Sequence, residues 1–203
     1  MTGAWEVLAG REPGLALDAL ERYAQEIERW NRSIRLVGPK DREGIRLQIA
    51  DALLPFLWER PSFPLLDLGS GAGLPAVPLA VAFPGQPLVA LEPNAKKASF
   101  LRNALRLLGL KEARVIVARA EEAFRETPEL AAAFATVTAR AVAEPEVLLP
   151  LLAPYLAPSG RALLPRGEEP GPDIEGWVLA GDRPYEGPPG LGKRRVLVYR
   201  RNA

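Results

Sequence analysis

The stretch Pro64-Leu65-Leu66-Asp67-Leu68-Gly69-Ser70-Gly71-Ala72-Gly73-Leu74-Pro75 constrains this chain more than any other. A short apolar run bounded by turn residues reads as a buried strand. Pro75 and Pro78 suit the opening turn of a helix, whose leading amides have no intrahelical partner. Strand, glycine turn and helix start, in that order, set a helix N-terminus against whatever the turn cradles. Glycine is needed there where the backbone takes positive φ, or where a ligand comes so close that a Cβ would fill its space.

The texture on either side extends this unit into a fold. Leu20, Tyr23, Ala24, Ile27 and Trp30 recur at helical spacing from Leu15 to Trp30, the mark of an amphipathic helix. A second such pattern, Ile45, Ile49, Ala52, Leu53 and Phe56, follows Asp41 as N-cap and meets Pro55, which is expected to bend or end it. After Pro61 and Pro64, short apolar runs alternate with helical segments, as in a parallel sheet built from βαβ units. Strands are expected at Leu65 to Leu68, Leu88 to Leu91, Arg114 to Ala118, Ala135 to Ala139 and Ala162 to Leu164. Helices are expected near Pro75 to Ala82, Ala95 to Leu108, from Glu121, and Glu144 to Ala153. The tail breaks the rhythm. Glu168 to Asp173 and Gly181 to Gly192 are dense in Gly and Pro and read as loops, flanking strands at Trp177 to Leu179 and Arg195 to Tyr199 that are close enough to pair antiparallel. The expectation is an α/β, Rossmann-like architecture: a mostly parallel seven-stranded sheet with an antiparallel C-terminal edge, a helical cap over residues 1–60 and a core over 61–203.

At 203 residues and 48% hydrophobic content the chain suffices for one domain. Its net charge of +1 gives no general attraction to polyanions, so any nucleic-acid affinity must come from a local patch. Five lysines against 21 arginines favour the residue whose planar fork grips phosphate; a GC-rich genome or a hot habitat gives the same bias. The absence of Cys and His excludes disulfides, thiolate chemistry, zinc clusters and His-based triads, and no metal site is expected. No apolar run approaches a membrane span and no leader pattern opens the chain, so a cytoplasmic protein with no membrane association is expected.

The chemistry of the turn follows from its spacing. A dinucleotide site uses G-x-G-x-x-G at this place. Here the glycines fall as G-x-G-x-G at Gly69, Gly71 and Gly73, with Leu74 and Pro75 beyond. Asp67, two residues before the first glycine, would repel a pyrophosphate but can accept a hydrogen bond, directly or through water, from the ammonium of S-adenosylmethionine. The next strand ends at Glu92, placed to take both ribose hydroxyls, although a solvated loop acid is the plain alternative. Arg119-Ala120-Glu121-Glu122 follows the third strand and offers backbone groups and a carboxylate to an adenine edge. Ligands of open α/β sheets bind at these C-terminal strand ends.

These segments resemble the small-subunit ribosomal RNA methyltransferase G family, also called GidB. The resemblance rests on Asp67 to Pro78, on Leu91-Glu92-Pro93-Asn94-Ala95-Lys96-Lys97-Ala98-Ser99-Phe100-Leu101, and on Thr138-Ala139-Arg140-Ala141-Val142-Ala143, and covers the chain from Trp30 onward. Where the family commonly has His-Phe-x-Asp-Ser-Leu, this chain reads Gln48-Ile49-Ala50-Asp51-Ala52-Leu53. The resemblance implies a class I methyltransferase fold and S-adenosylmethionine as cofactor, with Gly69, Leu74, Ala120, Glu121 and Arg140 as contacts. It implies methyl transfer to N7 of a guanine in small-subunit (16S) rRNA, presented as rRNA or as the 30S subunit, by a monomeric enzyme. Leu164-Pro165-Arg166-Gly167 and the basic strand from Gly192 are similar to family segments too, so Arg140, Arg166, Lys193 and Arg194 are the candidates for substrate contacts. Singly, each is more often a solvated surface charge.

Attack by N7 loses no proton, so no general base is expected and no single catalytic acid or base is assigned. Three other readings stay open: a methyltransferase of the same fold acting on another RNA, a protein or a small molecule; a non-catalytic S-adenosylmethionine-binding ribosome-assembly factor; and an NAD enzyme.

Overall fold

Leu65 to Leu68 form a strand, β1, buried at every position, because it lies in the middle of the sheet with helices on both faces. The computed structural model describes residues 3–202. Three helices come first, α1 (Ala4–Arg11), α2 (Leu17–Trp30) and α3 (Arg42–Trp58). After β1 come α4 (Ala76–Ala82), β2 (Leu88–Leu91), α5 (Ala95–Leu107), β3 (Ala113–Ile116), α6 (Ala120–Glu126), β4 (Phe134–Thr138) and α7 (Pro145–Leu152). Three long strands close the chain: β5 (Leu156–Arg166), β6 (Trp177–Glu186) and β7 (Lys193–Arg201).

The seven strands lie in the order β3-β2-β1-β4-β5-β7-β6. The first five are parallel to their neighbours, while β7 runs antiparallel to both β5 and β6. This is the expected parallel sheet with an antiparallel C-terminal edge. Chain order runs outward in opposite directions from β1 and β4, so a crevice opens beyond the ends of these two strands, where open α/β sheets bind ligands. Alternating residues feed two cores. Leu65, Leu88 and Ala90 join the helices of the cap and α4–α5, whereas Leu66, Leu68, Val89 and Leu91 pack with α6 and α7.

Four details depart from the sequence-based expectations. α1 was not anticipated; its Trp5 indole donates to Glu21 on α2 at 2.9 Å, and Arg46 on α3 donates to the same carboxylate. Pro55 does not end its helix, which continues to Trp58. The ring removes the N–H that would reach the carbonyl of Asp51 and crowds that carbonyl, and burial of Leu53, Leu54, Phe56 and Leu57 offsets that cost. The strand expected at Ala162 to Leu164 spans eleven residues. The segment read as a loop from Gly181 continues β6 as far as Glu186, with a bulge between Leu179 and Gly181. Pro184 is tolerated because β6 is the outermost strand and needs no donor on its open side.

The cap is stitched to α5, and its own loop is ordered, by partly buried polar contacts. Glu26 on α2 accepts from Trp30 at 2.7 Å and from Asn103 on α5 at 2.5 Å. Asn31 folds the following loop around itself, accepting from the amides of Leu36 and Val37 and donating to the carbonyls of Val37 and Pro39.

Candidate functional site

The glycine turn is held by two carboxylates. Glu92, at the end of β2 and 5% exposed, accepts from the Gly71 amide at 2.7 Å and from the Asn94 amide at 2.9 Å. One oxygen therefore pins the turn and the other pins the start of α5, and each keeps a further lone pair. Asp67 is more deeply placed, 1% exposed. Its Oδ2 accepts from the Ala76 amide, the first of α4, at 3.2 Å, while Oδ1 is buried and has no partner among the described residues. Burial, opposed by the Ser70 and Ala76 contacts, pushes this carboxyl up to about 7. An orphaned carboxylate oxygen beside a glycine turn fits a cationic donor, because such a group would restore the missing hydrogen bond and the ionised form together.

The three glycines do different jobs. A Cβ on Gly69 would come within 2.9 Å of Val142, which folds over the turn from the loop after β4, whereas one on Gly71 would meet nothing closer than 3.8 Å. Gly73 faces the interior: a Cβ there would lie 2.6 Å from Leu101 and 2.7 Å from Val77, at φ +87°. Its role is to let α2, α4 and α5 close on the turn. Beside it, the buried hydroxyl of Tyr23 donates to the carbonyl of Ala72. Leu74 is half-buried against the same cluster.

One cleft borders the turn and a second opens around Arg140. The first, of about 170 Å³, is lined by Leu68, Gly69, Leu91, Ala120, Glu121 and Val142. It gathers Gly69, Ala120 and Glu121 around apolar walls, with the Glu121 carboxylate exposed; Tyr155 supports its floor by donating to the Ala120 carbonyl at 2.5 Å. The other, of about 380 Å³, is lined by Asp51, Arg140, Pro165, Arg166, Tyr185 and Arg194. Arg140 donates to Asp51 at 2.5 Å. Arg194 donates to the other oxygen of Asp51 at 3.2 Å. Arg166 pairs with Glu144 and donates to the Ala143 carbonyl at 3.2 Å. Of the substrate candidates, then, Arg140, Arg166 and Arg194 come together and all three are already ion-paired, while Lys193 is exposed at the start of β7, outside this lining. Ala141, next to Arg140, holds φ +56°, a conformation that costs a non-glycine residue about 1 kcal/mol and is retained at sites that need it.

A small apolar cleft beside a glycine turn and an orphaned acid suits a nucleoside carrying a cationic tail. The sequence pattern of the family described as rRNA small subunit methyltransferase G, or GidB, matches residues 16–176. The chain belongs to this family. Among family members, the protein of that name from Chloroflexus aggregans is 40% identical over 156 residues, spanning 76% of this chain and 65% of the relative, just under two thirds of its length. The one from Xanthomonas axonopodis pv. citri is 34% identical over 97% of this chain and 96% of the relative. Solved structures share the fold. TrmN from Thermus thermophilus superposes with a TM-score of 0.52 at 23% identity, covering 78% of this chain and 48% of that one. A mutant of MtNAS solved with S-adenosylmethionine superposes at 0.58 and 18% identity, over 91% of this chain and 73% of that one.

Sequence reasoning missed Asp51, Tyr23, Tyr185 and Val142 as parts of the site. Asp51 alone left a signal, a carboxylate among the helical cap's apolar positions, kept where the family pattern also has Asp. Tyr23 reads as core by its spacing, which hides its hydroxyl's contact with the turn.

Proposed function

We propose that this protein transfers the methyl group of S-adenosylmethionine to N7 of a guanine in small-subunit rRNA. The observation that carries the reading is the buried Oδ1 of Asp67, without a partner among the described residues, behind a glycine turn, in a chain whose family is named for small-subunit rRNA methylation. S-adenosylmethionine, when bound, supplies a methyl group already activated by a sulfonium charge.

The chain's own residues bind and orient. Asp67 accepts from the ammonium end. Glu92 fixes the turn through Gly71 and offers its remaining lone pairs to ribose hydroxyls. Gly69 and Ala120 present backbone close to the nucleoside, Leu74 shapes the turn's exit, and Glu121 accepts from the adenine amine. Arg140, locked by Asp51, aligns the guanine or the methionine end, and Arg166 and Arg194 complete the wall of the same cleft. N7 carries a lone pair and no proton, so the residues here need not remove one. They raise the rate by alignment and by a field suited to a methyl shifting its charge to guanine.

The reading takes the cap (1–60) and core (61–203) as one functional unit, supported by Tyr23 on Ala72 and Asp51 on Arg140. It also takes the enzyme as a monomer of the cytoplasm; no helix among the described residues is long and apolar enough to cross a membrane.

The test is tritium transfer from S-adenosylmethionine to small ribosomal subunits from a strain lacking the activity, followed by borohydride and aniline scission at N7-methylguanine. A single labelled guanine that scission cleaves is expected. Label elsewhere, or none, overturns the reading.

A further inference from the structure

Three of the four cations expected to meet RNA are tied up, and a different set is available. Arg140, Arg166 and Arg194 each face a carboxylate. Between Pro93 and Arg119, by contrast, the chain carries seven cations and one acid, Glu112, although its net charge is only +1; the remainder of the protein is therefore net negative. Lys96, Lys97, Arg102 and Arg106 lie on α5, and Lys111, Arg114 and Arg119 flank or lie on β3. None of the seven forms an ion pair among the described residues.

The fold gathers them. β3 is an edge of the sheet and α5 packs beside it. Arg102, Arg106, Lys111 and Arg114 rim a hollow of about 400 Å³ whose floor is Leu105, Leu110 and Val115. At its other end, α5 starts beside Glu92, which pins the glycine turn, and Arg119 borders the small nucleoside cleft. The 13-residue helix makes this a cationic track about 20 Å long, leading from the edge of the sheet to the mouth of the site.

We propose that the α5–β3 edge binds the sugar-phosphate backbone of rRNA and delivers the target strand to the crevice. The unpaired guanidinium groups meet phosphates, and the apolar floor covers the face of a ribose or base; cations tracking a backbone over an apolar platform are the recurring means of holding single-stranded nucleic acid. Arg140, Arg166 and Arg194, held by Asp51 and Glu144, shape the reaction cleft and keep one net positive charge between them, so they add less to long-range attraction than the seven cations without acidic partners. The net-negative remainder turns the polyanion toward this one face. The inference rests on the proposed rRNA substrate.

Its test is the triple variant Arg102→Gln, Arg106→Gln, Arg114→Gln, three exposed positions outside both clefts. Binding to in vitro transcribed 16S rRNA is followed across a salt titration, alongside S-adenosylmethionine affinity by calorimetry. The expected result is a roughly 10- to 100-fold loss of RNA affinity at physiological salt and a salt slope shallower by about 2 to 3, with cofactor affinity unchanged. Arg200→Gln, Arg201→Gln on β7, one strand in from the opposite edge, is expected to change RNA binding less than threefold. Triple-variant RNA affinity and slope equal to wild type would overturn the proposal, and more so if the variant self-associates, since cations at an open strand edge also block strand addition. If the wild type binds S-adenosylmethionine and methylates subunits while the triple variant binds RNA normally, only this surface is wrong. A wild type that binds no cofactor brings down the earlier reading instead.

Discussion

Arg140 reaches back 89 positions to donate to Asp51 at 2.5 Å. The pair joins the helical cap to the loop after β4, and Arg194 adds a third element by closing on the other oxygen of the same carboxylate. With side chains only 19% and 10% exposed, the two charges are largely withdrawn from water, so neither tolerates loss of the other.

Asp51→Ala should therefore cost about 1–3 kcal/mol of stability, read by urea denaturation. The same change should lower the methyl-transfer rate more than it lowers S-adenosylmethionine affinity, because Arg140 loses its orientation. A rate equal to wild type would remove Asp51 from the positioning of Arg140.

Asp67 gives a pH signature. Its carboxyl sits at about 7 against an ordinary 3.8, so the folded state holds this proton more tightly than the unfolded chain. Its contribution to stability is fully present below pH 3.8 and is lost as pH rises through about 7. An ammonium beside Oδ1 favours the ionised form. Binding of S-adenosylmethionine at pH 6 should then release a proton, visible as a calorimetric enthalpy that varies with the buffer's ionisation enthalpy. Affinity should rise with pH up to about 7, and Asp67→Asn should abolish both effects. Buffer-independent enthalpy in the wild type would contradict the contact.

Glu21 has the opposite sign. Hydrogen bonding from Arg46, ahead of the contributions of Trp5 and Arg42, outweighs partial burial and holds it at about 2, below the usual 4.5. The stability it confers on the α1–α2–α3 junction is present above pH 4.5 and is lost as pH falls toward 2. In an acid titration Glu21→Gln should flatten the fall in melting temperature over that range.

Gly73 and Gly71 should separate under substitution. Gly73→Ala forces a Cβ to 2.6 Å from Leu101 at φ +87°, so a loss of about 2–4 kcal/mol is expected by chemical denaturation. Gly71→Ala makes only an ordinary 3.8 Å contact at φ +58° and should cost only about 1 kcal/mol. Equal losses would mean that the turn, not the packing around Gly73, sets the requirement.

Tyr23→Phe removes the donor to the buried carbonyl of Ala72. An expected loss of about 1–3 kcal/mol should come with weaker S-adenosylmethionine binding, since the turn loses its tether to α2. Cofactor affinity unchanged from wild type would confine Tyr23 to the core.

The strand, turn and helix around Asp67 to Pro75 were legible in the sequence because their signals are local. Apolar runs, glycine spacing and helical periodicity each span a few residues, and the parallel sheet follows from their alternation. Strand ends, and so the positions of Asp67, Glu92 and Glu121 in or after β1, β2 and β3, come with that order. The tail misled because Gly181 and Pro184 usually mark loops, and only the position of β6 at an open edge makes them tolerable.

What the tertiary structure alone decided is which charges are spent. Arg140, Arg194 and Arg106 look alike in a sequence; the first two share Asp51, from 89 and 143 positions away, and the third has no acidic partner among the described residues. Likewise Gly73 belongs to the same glycine pattern as Gly69, yet faces Leu101 and Val77 rather than the crevice. Pairing and packing depend on distances through space that neither spacing nor composition records, whereas the sheet that creates those distances is written in short-range patterns.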